Sequence, residues 1–148
     1  MAADRSYIAE NDCERRRLEA LAGKLDDAAL SRALPAGWTV AGVLAHLAFW
    51  DQRIVLLVDL LKRGAAVPTE DPGHVDWIND AAKPTQLALP PRRAATLAVE
   101  TARAADHAVA TLSDELIAKN AAAGSPINLR RAQHRREHLD EIEQTLAG

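Results

Sequence analysis

Cysteine is nearly absent: Cys13 is the only one in 148 residues, which excludes an intrachain disulfide. Aromatic residues make up only 3% of the chain, β-branched residues are sparse, and alanine is abundant. That balance disfavours a sheet and favours helices, so the expected class is all-α. No basic stripe is present. The arginines are interleaved with carboxylates at a net charge of −3, and a nucleic-acid partner is not expected. Neither a signal peptide nor a membrane span is expected, which makes the cytoplasm the simplest compartment. With 48% hydrophobic residues in 148, the chain is long enough to bury one core, and residues 1–148 are expected to form a single domain.

Four amphipathic stretches are separated by breakers. The first runs from about Ser6 to Leu30, with Tyr7, Leu18, Leu21, Ala22 and Leu25 on one stripe and Cys13 off it. Pro35-Ala36-Gly37 ends it. Thr39 is placed to N-cap a second helix that reaches about Arg63, with Val43, His46, Trp50, Ile54, Leu57 and Leu61 facing the core. A long crossover, 64–91, carries Pro68, Pro72, Gly73, Pro84 and Pro90, with a helical turn expected at 75–82. The third helix is expected over about Arg92–Ile117, burying Leu97, Thr101, Ala104, Ala105, Ala108 and Leu112. The fourth, about Ile127–Leu146, points Ala132, Leu139, Ile142 and Leu146 inward. Four such helices and one long crossover predict a four-helix bundle, in which metal sites are built from side chains on facing helices.

The chemistry-bearing pattern is three histidines. His134 and His138 lie four apart on the fourth helix and therefore one turn apart on nearly the same face, a chelating pair. His46 on the second helix would complete a tripod that leaves metal positions open to water or substrate. Five histidines give an i,i+4 pair by chance about one time in seven, so the surroundings must support the assignment. A lone histidine on an apolar stripe is ordinarily a hydrogen-bonded core residue; the pair on the fourth helix argues otherwise for His46. His74, in the crossover, and His107, toward the polar edge of the third helix, are expected to be solvated. The string His134-x-x-Glu137-His138 also matches an inverted zinc-protease signature. That chemistry needs a further ligand well downstream, whereas ten residues follow His138, and Glu137 falls on the polar face of its helix.

Trp38-Thr39-Val40-Ala41-Gly42-Val43-Leu44-Ala45-His46-Leu47-Ala48, followed by Trp50-Asp51, resembles the second-helix signature of the DinB-like superfamily, which also includes mycothiol-dependent maleylpyruvate isomerases and bacillithiol transferases. His134-Arg135-Arg136-Glu137-His138-Leu139 is similar to its closing H-x-x-x-H-L motif. The resemblance implies an up-down-down-up bundle in which His46, His134 and His138 bind a divalent metal, zinc or nickel. It also implies metal-assisted thiol transfer, or a related isomerase or hydrolase reaction on a small molecule, with a low-molecular-weight thiol as co-substrate. No catalytic residue of the chain is assigned.

Arg131 and Arg135 share the inner half of the fourth-helix wheel with the histidines, and Arg53 lies two turns from His46. These three guanidiniums are the candidates for binding an anionic substrate group; the competing reading is that their stems cover apolar surface. Trp38 and Trp50 are expected to pack, and Trp77 with Asn79 to form a pocket wall. The run Arg15-Arg16-Arg17, balanced by Asp12, Glu14 and Glu19, is expected to be a solvated face. The rival to an enzyme is a non-catalytic bundle that sequesters a small molecule or metal and forms a homodimer through an exposed helical face.

Overall fold

Thr39 starts the central helix as the sequence predicts: its side chain accepts from Gly42 N at 2.9 Å, satisfying one of the amides that a helix start leaves unpaired. In the computed structural model, which describes residues 2–69 and 71–148, seven α-helices follow in order among the described residues. They are α1 (Tyr7–Lys24), α2 (Asp27–Leu30), α3 (Val40–Lys62), α4 (Pro72–Ala88), α5 (Pro91–Ala110), α6 (Asp114–Ala122) and α7 (Ala132–Ala147). Two-residue strands β1 (Ala33–Leu34) and β2 (Trp38–Thr39) pair antiparallel between α2 and α3.

The long helices α1, α3, α5 and α7 form the bundle, and their contacts fix its directions. Tyr7 Oη donates to Val109 O and Arg92 donates to Ala22 O, so α1 and α5 are antiparallel. Arg17 reaches Asp140 while Asn11 meets Ala132, so α1 and α7 run the same way. Lys62 donates to Thr111, at the matching ends of α3 and α5, and His46 and Asp51 of α3 meet His134 and Arg131 in reverse order. The order is up-down-down-up, as expected for a DinB-like bundle. α3 and α5 are parallel, and a parallel pair needs a long connection, here the crossover that contains α4. α3 is long and apolar enough to cross a membrane by length and composition, with a mean hydropathy of 1.4, but 67% of that window is buried inside the bundle.

Several boundaries differ from the sequence reading, each for a local reason. The first helix stops at Lys24 because Asp26 accepts from Ala29 N at 2.8 Å and starts the separate turn of α2. The crossover holds not one helical turn but the 17 residues of α4, entered through an Asp71 cap and Pro72 at its first turn and continuing through Pro84. The third helix ends at Ala110, not at 117: Thr111 Oγ1 bonds back to the His107 carbonyl at 3.0 Å and Ser113 caps a new helix, α6. Its inward face is rotated from that expected, so Ala104 is exposed while Asp106 and Val109 are buried. The fourth helix begins at Ala132, and Trp50 is half-buried, its Nε1 donating to Asn79 at 2.8 Å.

What fastens the start of α7 is Asn11 of α1, 1% exposed. Its Nδ2 donates to Leu129 O at 2.8 Å and its Oδ1 accepts from Ala132 N at 3.0 Å, so one side chain satisfies two backbone groups of a distant segment. Asn11→Ala leaves both without that partner, and the expected loss is on the order of 2 kcal/mol. Urea unfolding should show it as a lower midpoint with an unchanged slope; a midpoint equal to the parent's would mean that the segment is held by other contacts.

Candidate metal centre

α3 and α7 cross so that His46 of one faces His134 and His138 of the other. One potential ligand atom from each of the three lies within 4.8 Å of the other two. His46 Nε2 and His134 Nε2 are 3.1 Å apart. The ring centroids are 5.1, 5.0 and 4.9 Å apart pairwise, at interplanar angles of 72° to 78°. Nitrogens bound to one tetrahedral zinc at 2.0–2.1 Å would lie about 3.4 Å apart, close to the His46–His134 spacing. One further observation fits a bound ion: a carboxylate oxygen of Glu141 sits 3.4 Å from His138 Nδ1, whereas Nδ1 of His46 is buried without a hydrogen-bond partner. A carboxylate beside the far nitrogen is the usual device for orienting a ligating imidazole.

The electrostatics keep His46 and His134 in the form a metal would require. Burial, helped by the neighbouring His138, lowers the His46 pKa to about 4. Burial also lowers His134 to about 3, aided by His138, His46, Arg131 and Arg135 in that order. Both imidazoles are therefore neutral at pH 7, and neutral imidazole is the ligating form.

Beneath the tripod lies a buried ionic layer. Arg135, 1% exposed, donates to both oxygens of Asp106 at 2.8 and 2.6 Å and to Asp51 at 3.2 Å. Arg131 Nε donates to the other oxygen of Asp51 at 3.0 Å, and Arg15 reaches Asp106 at 2.7 Å. Burial opposes the charge of both Arg131 and Arg135. For Arg135 the bonds and charges of Asp106 and Asp51 outweigh it and raise the pKa, whereas for Arg131 burial prevails over Asp51 and lowers it.

A cavity of about 820 Å³ opens over the histidines. α4 supplies one wall through Asp76, Asn79, Asp80 and Lys83; Glu137 and Glu141 of α7 and Trp38 of β2 complete it. The hairpin turn before Trp38 uses left-handed backbone at Ala36 (φ 60°) and Gly37 (φ 76°), a conformation glycine adopts freely and alanine at a cost. It sets the Trp38 ring 5.7 Å from that of His46. Lys83 lies 4.9 Å over the same indole and donates to Ala36 O at 2.5 Å.

Of the residues singled out in the sequence, the three histidines converge and Asn79 lines the cavity. Trp77 is 59% exposed and does not line it. Nor do the three candidate arginines: Arg131 and Arg135 are engaged by Asp51 and Asp106, and Arg53 lies at a separate cavity with its guanidinium 5.6 Å from the Trp50 ring. His74, His107 and Cys13 are exposed. The sequence reading missed Asp51 and Asp106, although a carboxylate inside the apolar run of α3 was a signal that buried arginines had partners within the chain. It also left Glu137 as a surface residue; the residue is exposed, yet it lines the cavity beside His134.

An unfolded histidine takes up its proton near pH 6.5, whereas folded His46 and His134 resist it down to about 4 and about 3. Between those values the unfolded chain binds more protons, so the stability these residues contribute is complete above pH 6.5 and is lost as pH falls toward 4 and then 3. In the presence of chelator, the urea midpoint should drop steadily between pH 7 and 4.5, and His46→Leu should flatten the drop. A midpoint constant across that range would contradict buried neutral imidazoles.

No curated protein and no solved structure matches the chain. Residues 12–143 match the family described as "Mycothiol maleylpyruvate isomerase N-terminal domain". With that match covering most of the bundle and both histidine-bearing helices, the chain belongs to the mycothiol maleylpyruvate isomerase N-terminal domain family, a DinB-like family.

Proposed function

We propose that the protein is a metal-dependent small-molecule enzyme of the thiol-transferase, isomerase or hydrolase type, with His46, His134 and His138 holding one divalent ion, zinc or nickel. The observation that carries this reading is the convergence of three imidazoles, from two helices, on one wall of a large cavity. The family description names mycothiol and an isomerase, which supports a low-molecular-weight thiol as co-substrate. When bound, such an ion supplies a Lewis-acid centre that lowers the pKa of a thiol or a water.

The chain's own residues do the rest. With Glu141 beside His138, Glu137 is the α7 carboxylate on the cavity wall that would take up the proton a thiol or water gives away. Trp38 offers an apolar face, and α4 covers the site on its side and limits water. With Arg131 and Arg135 engaged in the layer below, Lys83 is the cation on the cavity wall and would meet an anionic group of a substrate. The reacting sulfur comes from the small molecule, because Cys13 is exposed on α1 while the ligands project from α3 and α7. A small-molecule partner and a cytoplasmic location belong to this proposal.

Elemental analysis of purified protein should find one divalent ion per chain, and His134→Ala should lower occupancy sharply; unchanged content would remove the ion from that position. Chelation should leave the helical circular-dichroism signal intact, since two apolar clusters that do not include the histidines hold the helices together. Turnover of electrophilic acceptors with a panel of thiols should be lost in His46→Ala and kept in Cys13→Ser. If Cys13→Ser abolished it in a folded, metal-replete protein, the supplied-thiol chemistry would have to be abandoned. Stoichiometric metal without turnover would favour a sequestering bundle.

A further inference from the structure

Most acidic side chains of this protein are tied to arginines. Asp12 and Asp106 meet Arg15, and Glu14 and Glu143 meet Arg17. Asp76 and Asp80 of α4 differ. Both line the cavity over the histidines, and among the described residues no basic side chain forms an ion pair with either.

Nothing in the fold accounts for that pair. Like charges four apart on a helix lie one turn apart and destabilise it. Neither residue caps a helix, as Asp71 does for α4. Lys83 stands one turn from Asp80 and would neutralise it, but its ammonium donates instead to the Ala36 carbonyl and lies over the Trp38 ring. The face is also held in place: Trp50 Nε1 of α3 donates to Asn79 Oδ1 at 2.8 Å. Asp76, Asn79, Asp80 and Lys83 therefore form one stripe along the cavity wall, with Glu137 and Glu141 of α7 on another. Four carboxylates thus face one ammonium that is already engaged. A cleft lined by one sign of charge concentrates the opposite sign, so an anionic substrate meets repulsion over most of this wall and a cationic one meets charge that no side chain satisfies.

We propose that a substrate of this site carries an ammonium group, which Asp76 and Asp80 receive while its reacting atom lies at the histidines. Lys83, at the hairpin end of the stripe, is left for an anionic group elsewhere on the substrate. The inference rests on the metal-dependent reading above and adds the charge of what is bound.

The test uses the full chain loaded with cobalt(II), at low ionic strength, where exposed charges are least screened. It is titrated with thiocholine, 2-mercaptoethanol and 3-mercaptopropionate, which share a two-carbon stem, and sulfur-to-cobalt charge-transfer absorption reports binding. The quaternary nitrogen of thiocholine cannot ligate the ion, so its charge acts on the protein alone. Thiols differ in intrinsic metal affinity, so the deciding quantity is the change between the parent and the Asp76→Asn/Asp80→Asn double variant, both positions being exposed. An exposed ion pair contributes at most a few-fold, so the double variant should weaken thiocholine about fivefold and leave 2-mercaptoethanol within about twofold. 3-Mercaptopropionate should bind it more tightly than the parent, and Asp76→Lys/Asp80→Lys should carry both trends further. Thiocholine affinity unchanged in both variants, or all three thiols weakened alike, would overturn the inference and leave the metal site standing. Cobalt that does not bind, or no band from any thiol, would overturn the reading beneath it and this inference as well.

Discussion

The buried guanidinium of Arg135 is the constraint on which the rest of the structure depends. Taking a charge out of water is costly, and it is tolerated only where partners of opposite charge and good geometry surround it. Here Asp106 grips it with both oxygens, Asp51 adds a third contact, and the Asn11 carbonyl a fourth. Those partners come from α5, α3 and α1, so a single side chain of α7 ties all four long helices together. Around this layer the apolar residues form two separate clusters, one built on Leu18, Leu44, Ala98 and Leu139, the other on Tyr7, Leu57, Val109 and Ile127. Apolar packing is tolerant of small slips, whereas a bidentate ion pair is not. The layer therefore sets register where the two clusters alone would leave it looser.

That register makes the site. Arg135 follows His134 directly and Arg131 precedes it by three, while Asp51 lies five residues beyond His46 on α3. Once Asp51 is joined to Arg131 and Arg135, the antiparallel α3 and α7 are fixed in both axial position and rotation, and His46 falls opposite the His134–His138 face. Rotating α7 by one residue, about 100°, would swing both imidazoles away and bring charged neighbours inward. Removing either carboxylate would leave a buried charge uncompensated, a loss of about 3–5 kcal/mol by analogy with other buried pairs, and the geometry of the tripod would be lost with it.

Local chemistry was legible in the sequence, and long-range pairing was not. The Thr39 cap, the inward face of α3 and the one-turn spacing of His134 and His138 all follow from periods of three to four residues, which any reader of the sequence can count. Cap chemistry also broke helices where periodicity ran on: Asp26, Thr111 and Ser113 interrupt apolar patterns that by themselves continue. What could not be read was which distant residue answers a buried polar group. Asn11 serves Leu129 and Ala132, and Asp106 serves Arg15 and Arg135, across separations of 29 to 121 residues. Arg131 and Arg135 were visible as charges on an inward face; that they meet carboxylates of the chain instead of a ligand depends on how the helices cross.

The same layer contributes to the protonation state of the site above it. His46 and His134 resist charge in two ways, because burial penalises the charged ring and a neighbouring charged imidazole repels it. Arg131 and Arg135 add to this at His134, where both lower its pKa. Asp51 and Asp106 turn toward the arginines, whereas Glu141 stands beside His138 and Glu137 on the cavity wall. The outcome is three clustered imidazoles with positive charge behind them and negative charge at the mouth. A divalent cation held by these imidazoles would be attracted by the carboxylates at the mouth, and the guanidiniums below disfavour its protonic competitor at His134. They would also oppose the cation itself, but their charge is held within hydrogen bonds to two aspartates, whereas a metal–imidazole bond would be only about 2 Å long.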